Sequence, residues 1–329
     1  MATITRTIGA TGRNYGTLSL WRASLPANLV TDNNSYVGEC YNDAEFVNDI
    51  AALNGHATDA THTIALTAAA GQSFADHASA QTNALTYNQA NGVGFRTTTN
   101  YHSTSPVQIA DSNVTISRLQ IKKGGNYQVT IDVSGSSNIT ITKNILVGGD
   151  SATGTIRLLG GGTGWFLTNN LLISQTGGVA IQFQNNFTAG MTACSFNTIV
   201  AYSDVAGSAA ITMNYGTNTI KNCAIFGFTN LVGGGGAQTF TTCMTDKSSP
   251  PAGCTQVTYA NQFVNTTSGA ADFRVKSGAN LIDAGTTDAT YGATDIVGTT
   301  RPQGASYDIG AWEYKSAAAA YRPRVVRWG

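Results

Sequence analysis

Apolar and polar positions along this chain mostly alternate with a period of two, in short runs. Residues 3–9 (Thr-Ile-Thr-Arg-Thr-Ile-Gly), Ser35 to Tyr41, His62 to Thr67 and Val93 to Thr97 each read as a strand. One stretch breaks the pattern. Between Thr17 and Leu25 the apolar residues Leu18, Trp21 and Leu25 fall at helical spacing, with Thr17 placed as N-cap and Pro26 closing the segment. A short helix carrying a Trp between strands is suited to plugging an open end of stacked strands. Ala68 to Gln89 is polar and Ala-rich and reads as a long loop.

From Ser112 to Asp246 the pattern becomes a repeat. Ile141-Thr-Lys-Asn144-Ile-Leu-Val147, Leu167-Thr-Asn-Asn170-Leu-Leu-Ile173, Cys194-Ser-Phe-Asn197-Thr-Ile-Val200 and Thr219-Ile-Lys-Asn222-Cys-Ala-Ile225 place one asparagine at intervals of 26, 27 and 25 residues. Arg118 sits 26 residues before Asn144 and is assigned the same slot one repeat earlier. Three residues past the slot stands an aliphatic residue each time: Ile121, Val147, Ile173, Val200 and Ile225. Such a period marks a solenoid, a propeller or an array. The segments between Gly-rich bends are too short for propeller blades, and they fit the coils of an all-β, right-handed parallel β-helix with a short N-terminal capping helix. The asparagines are assigned to the bends. There Asn tolerates a left-handed backbone, and Asn144, Asn170, Asn197 and Asn222 can form a structural ladder of amide hydrogen bonds from coil to coil. The chain divides into an N-terminal strand-helix-strand cap (1–50), irregular first coils and loops (51–110), regular coils (111–246), C-terminal coils and closing strands (247–314) and an extended tail (315–329).

Composition narrows the function. Only 11% of residues are charged, the formal net charge is zero, and the glutamates are confined to Glu39, Glu45 and Glu313. This argues against a helical protein and against nucleic-acid binding. No apolar run is long enough for membrane insertion, and the N-terminus lacks the apolar core of a signal peptide. Cys40, Cys194, Cys223, Cys243 and Cys254 are read as buried free thiols. His56, His62, His77 and His102 are read as surface residues, because no spacing among them suits a metal. No cofactor and no metal site are expected.

The C-terminal series carries a resemblance. Asn261-Gln-Phe-Val-Asn265, Asp272-Phe-Arg-Val-Lys276, Thr294 to Pro302 and Tyr307-Asp-Ile-Gly-Ala-Trp-Glu-Tyr314 resemble the closing region of secreted or surface-attached β-helix proteins that end in an Asp-Ile-Gly-Ala-aromatic-Glu signature. The opening, Ile8 to Trp21 with Tyr36 to Tyr41, resembles the N-terminal cap of pectate-lyase-like β-helices, including phage-encoded ones. The resemblance implies architecture and a surface location more than a reaction. It also implies what an enzyme of this type would need: acidic calcium ligands with a basic proton acceptor, or two or three aspartates on adjacent coils. The weak catalytic candidates are Asp150 and Asp204, which the spacing places on one face two coils apart. Asp43, Glu45 and Asp49 form the densest acidic group but have no evident partner base. The tail, with Tyr321, Arg322, Arg324, Arg327 and Trp328, reads as a docking arm. The expected protein is therefore a non-enzymatic decoration or spike protein on the surface of a virus-like (phage) particle. Its expected partners are capsid or other virion proteins, further copies of itself in a trimer, and host surface glycan. The alternatives are a polysaccharide lyase or hydrolase and a glycan-binding adhesin at a bacterial cell surface.

Overall fold

The computed structural model describes residues 1–98, 105–124, 129–148, 154–175, 177–184, 191–213 and 216–316. Over them the chain winds through three parallel sheets in a fixed order. In a typical coil, Val114–Ser117 lies in sheet A, Gln120–Lys123 in sheet B and Ile131–Ser134 in sheet C, and Ile139–Thr142 returns to sheet A. Sheets A and B hold nine described strands each and sheet C holds seven, with neighbours paired in parallel and in register. This is a parallel β-helix. The stack begins with the first strand, Ala2–Ile8, which pairs along its length with Asn34–Cys40. Residues 51–110 supply ordinary coil strands, interrupted by one long excursion at 69–92.

Alternation sorts side chains into two cores. Inside the coils lie Ile116, Ile121, Ile131, Leu146, Leu172, Ile199 and Ile225, each buried. The N-terminal end of this interior is closed by the helix Leu18–Ala23, which Thr17 caps through the Leu20 N–H and Asp49 caps through the Leu18 N–H. The helix lays Trp21, fully buried, against the first coil. Gly38 makes room for it, since a Cβ there would stand 2.7 Å from the indole.

The second core lies outside sheet B. Val147, Ile173, Val200 and Phe226 point outward from successive strands and are buried beneath Phe263, Phe273, Leu281, Ile296, Ile309 and Trp312. Thus residues 258–314 do not add coils, contrary to expectation. Their antiparallel hairpin, Phe263–Asn265 with Asp272–Val275, and the following loops cover an apolar outer face that water would otherwise wet. The aliphatic column read from the sequence accordingly splits: Ile121 and Ile225 face the inner core, and Val147, Ile173 and Val200 face the outer one.

The bend between sheets A and B departs from expectation by one residue. The left-handed residues are Arg118, Lys143, Asn169, Phe196, Asn222 and Thr242. Strand register makes Arg118 the counterpart of Lys143, not of Asn144, and Asn222 the counterpart of Phe196. The buried slot that follows holds Leu119, Asn144, Asn170, Asn197, Cys223, Cys243 and Cys254 in successive coils. Within it the Asn144 backbone N–H and Nδ2 both donate to Asn170 Oδ1, at 3.0 and 3.1 Å, and Asn170 donates likewise to Asn197 Oδ1. The Nδ2 groups of Asn144 and Asn170 also donate to carbonyls of their own and the preceding coil, such as Thr168 and Ile141 for Asn170, and that of Asn197 donates to the Leu167 carbonyl and the Cys194 sulfur. Asn222 instead exchanges hydrogen bonds with Thr286 and ties the C-terminal segment to the stack.

The Asp-Ile-Gly-Ala-Trp-Glu run at 308–313 is buried throughout. Asp308 accepts the N–H groups of Asp283 and Tyr314, Glu313 those of Gln303 and Asp308, and Asp295 those of Val297, Thr299 and Glu313. Buried Arg301 lies among them, donating to the carbonyls of Asp308 and Gly310, with its guanidinium over the Phe196 ring. Left-handed Gly310 packs its Cα where a side chain would strike Thr198 Oγ1. These carboxylates are fasteners for the covering segment.

Two measurements check this account. Asn170→Ala leaves the Asn144 N–H and two carbonyls without partners and is expected to destabilise the chain by roughly 3 kcal/mol or more in urea unfolding. Asn222→Ala loses the tie to Thr286 and leaves an alanine in a left-handed backbone, and should cost about 2–3 kcal/mol while sensitising residues near 286 to proteolysis. Burial raises the Asp308 carboxyl to about 7, above its ordinary 3.8. The folded state therefore binds this proton more tightly than the unfolded chain does, and the stabilisation is lost as pH rises between about 4 and 7. The melting temperature of the wild type should fall more across that interval than that of Asp308→Asn.

Candidate functional site

One outward row of sheet B runs Val47, Arg96, Lys122, Val147, Ile173, Val200, Phe226 by register. The covering segment buries the last four, and Arg96 and Lys122 lie at its margin. There the excursion 69–92 comes down beside the hairpin. Leu85 N–H donates to Asp272, Phe273 N–H donates to the Leu85 carbonyl, and Gln120 holds Asn88 and Gly92. The two insertions leave between them a groove of about 350 Å³, with Tyr87 and Tyr202 as aromatic walls, Lys122 and Val147 as floor and Gly269 to Ala271 as the far lip.

Each wall is held. Tyr87 donates its hydroxyl to Glu45 Oε1 at 2.6 Å, and Arg96 Nε donates to both Glu45 oxygens. Burial would raise the Glu45 carboxyl, but the hydrogen bonds from Arg96 and Tyr87 outweigh it and hold the group ionised below its usual range. Burial and the neighbouring Glu45 push the Tyr87 phenol upward, so it stays a neutral donor. Tyr202 stacks on Phe273 with ring centroids 6.3 Å apart, and burial raises its phenol too. The Lys122 ammonium stands 5.7 Å from the Tyr87 ring centroid. Its neighbour Lys123 points the other way and is buried, and desolvation lowers its amine to about 8. The groove thus offers one cation and two flat aromatic faces, a combination that suits a sugar ring bearing an anionic group. A larger cavity of about 520 Å³ lies near Trp312 and Tyr314. Two of the three cations that line it are engaged, Arg274 by Asp272 and Lys276 by the Ala260 carbonyl, and Lys315 is the third.

The residues singled out from the sequence are placed as follows. Asn144, Asn170 and Asn197 come together in the ladder, and Asn222 stands outside it. Asp204 is exposed and accepts the N–H and hydroxyl of Ser268. Asp150, with Tyr321, Arg322, Arg324, Arg327 and Trp328, lies outside the described residues. Asp43, Glu45 and Asp49 do not act together. Asp43 binds Arg13 and the Ala10 and Thr11 N–H groups, Glu45 binds Arg96, and Asp49 caps the helix. Each acid therefore has a partner that local sequence did not reveal. His56 is not a surface residue, since its Nδ1 lies 2.6 Å from Asp111 in a buried pair. Among the described residues no group of three His, Cys, Asp or Glu is arranged to hold a metal ion. Tyr87, Arg96, Lys122 and Tyr202 escaped the sequence reading. The one available signal was the Lys122-Lys123 pair ending a strand in a chain poor in charge.

Among the described residues no helix is long and apolar enough to cross a membrane. No protein-family model matches the chain, and no curated protein sequence is similar to it. Among solved structures, the crystal structure of pectate lyase Pel9A aligns over 95% of this chain and 96% of its own, with 13% identity and a TM-score of 0.38. At that level the likeness bears on neither the site nor a reaction.

Proposed function

We propose that this chain is a non-enzymatic structural protein, a decoration or spike on the surface of a virus-like, phage-type particle, docked through its terminal segments. The observation that carries this reading is the use made of its acids. Every acidic residue among the described positions except Glu39 takes part in a hydrogen bond or ion pair that fastens a bend, a cap, a loop or, for Asp132 with Arg157, two neighbouring strands. The lining of the groove contains no carboxylate, whereas glycosidic hydrolysis requires two facing each other. A long stack closed at its N-terminal end and covered along one face is a stiff display rod. The tail 315–329, rich in Arg and aromatic residues, supplies the anchor to capsid or other virion proteins, and a trimer is the assembly in which such a rod would stand.

A second reading, a glycan-binding surface protein, is favoured by the groove itself, which Lys122, Tyr87 and Tyr202 line together; a glycan-cleaving one has no support from that lining.

Incubation with a panel of acidic and neutral polysaccharides should yield no new reducing ends and no unsaturated products. Any product overturns the non-enzymatic reading. If the groove binds an acidic glycan, Lys122→Ala and Tyr202→Ala should each weaken binding about tenfold in glycan-array titration. Deleting residues 316–329 should abolish incorporation into particles while the circular dichroism of the rod is unchanged. Undiminished incorporation sinks the anchor.

A further inference from the structure

The buried slot of the bend between sheets A and B changes chemistry along the stack, from Asn144, Asn170 and Asn197 to Cys223, Cys243 and Cys254. The first two thiols take over part of the asparagine's work. Cys223 Sγ donates to the Lys221 carbonyl at 3.3 Å, and Cys243 Sγ donates to the Ile220 carbonyl at 3.3 Å. Cys254 has a different setting. It opens Cys254–Gln256, the last strand of sheet B, which pairs on one side only, with Cys243–Thr245. It is half-buried and free, and it follows an exposed turn that includes Pro251 and left-handed Gly253.

We propose that Cys243 and Cys254 are a site of reversible disulfide formation that staples the terminal strand onto the stack. The two are Cα partners in a parallel, in-register pair. Neighbouring parallel strands run about 4.8 Å apart, inside the roughly 4.4–6.8 Å Cα range of disulfides. Register also sends both side chains to the same face. Disulfide Cβ atoms lie about 3.8 Å apart, so closure draws the strand ends together by roughly 1 Å. An edge strand fed by a loop can make that movement. Cys223, held between the coils of Cys194 and Cys243, has less freedom, so Cys243–Cys254 is the pair that closes. Hydrogen bonds from Cys223 and Cys254 to the Cys243 sulfur lower the pKa of its thiol, while the same contact with Cys243, together with burial, raises that of Cys254.

Half-buried Cys254 is the thiol that solvent reaches. With a small-molecule disulfide such as oxidised glutathione as oxidant, the Cys254 sulfur loses its proton as it attacks one of the glutathione sulfurs, forming a mixed disulfide and expelling one glutathione thiolate, which takes up that proton. The Cys243 thiolate then attacks the Cys254 sulfur, forming the protein disulfide and expelling the second. Two protein thiols are oxidised, one oxidised glutathione is reduced to two glutathiones, and the two thiol protons pass to them. The closed loop locks the stack at the end where its interior would otherwise open. Such a lock suits a chain that leaves a reducing compartment for an oxidising one.

The test is peptide mapping of the full chain after incubation with oxidised glutathione, with remaining thiols blocked by N-ethylmaleimide in denaturant. The expected result is a Cys243 peptide linked to the Cys254 peptide, and a melting temperature several degrees above that of the reduced protein. Cys254→Ser should lose both effects, and Cys40→Ser should keep both. Recovery of Cys243 and Cys254 as blocked free thiols, or linkage of Cys243 to Cys223, overturns the proposal. The wild-type mapping decides this without any variant.

Discussion

From Arg118 onward the described coils turn a sharp corner between sheets A and B, and in three of them, at Asn144, Asn170 and Asn197, the asparagine ladder satisfies the buried backbone of that corner. A buried carbonyl or N–H left without a partner costs about 1–3 kcal/mol, and the corner repeats up the stack. Asn170 answers this with one side chain, accepting two hydrogen bonds from Asn144 and donating to the carbonyls of Ile141 and Thr168. The left-handed residue just before the slot is Lys143, Asn169 or Phe196, of which only Asn favours that conformation. The neighbouring hydrogen bonds hold the others there. The corner sets the register, and the register decides which side chains face in.

Two cores follow from that register. Because each sheet B strand alternates strictly, burying Leu146, Leu172 and Ile199 inside necessarily turns Val147, Ile173 and Val200 outside. An exposed apolar column of that length would be an aggregation surface. The segment 258–314 exists to cover it, which explains why the covering segment carries so many aromatic residues and why its end is locked by Asp295, Arg301, Asp308 and Glu313. The excursion 69–92 abuts the same segment. The groove beside Lys122 is the gap left where the two covers meet.

The repeat was legible in the sequence because a parallel stack imposes one length on every coil, and the alternation of short strands announced the β-helix. Spacing misled where loops change length. Asn222 lies 25 residues after Asn197, yet register pairs Thr198 with Ala224, so Cys223 and not Asn222 inherits the slot. Arg118 was misplaced by one residue for the same reason. The C-terminal strings looked like further strands because their apolar residues are as dense, but these bury themselves against an existing face instead of pairing in the stack. The groove was not legible. Tyr87, Lys122 and Tyr202 come from three separate stretches, and nothing local in any of them indicates that they converge.

The two ends of the stack pose the same problem and receive different answers. At the N-terminal end, a helix with Trp21 caps the interior, and the room for it is written into the first coils as Gly38. At the C-terminal end, the last sheet B strand is short and held by one neighbour, and the covering segment protects the outside of sheet B rather than the mouth of the coil. An asparagine in the slot satisfies backbone groups of the coil before and needs a coil after to complete its own bonds. At Cys254 no coil follows. A thiol is the better occupant there. It needs no following coil to complete its hydrogen bonds, and it can replace the missing coil with a covalent bond to the one before.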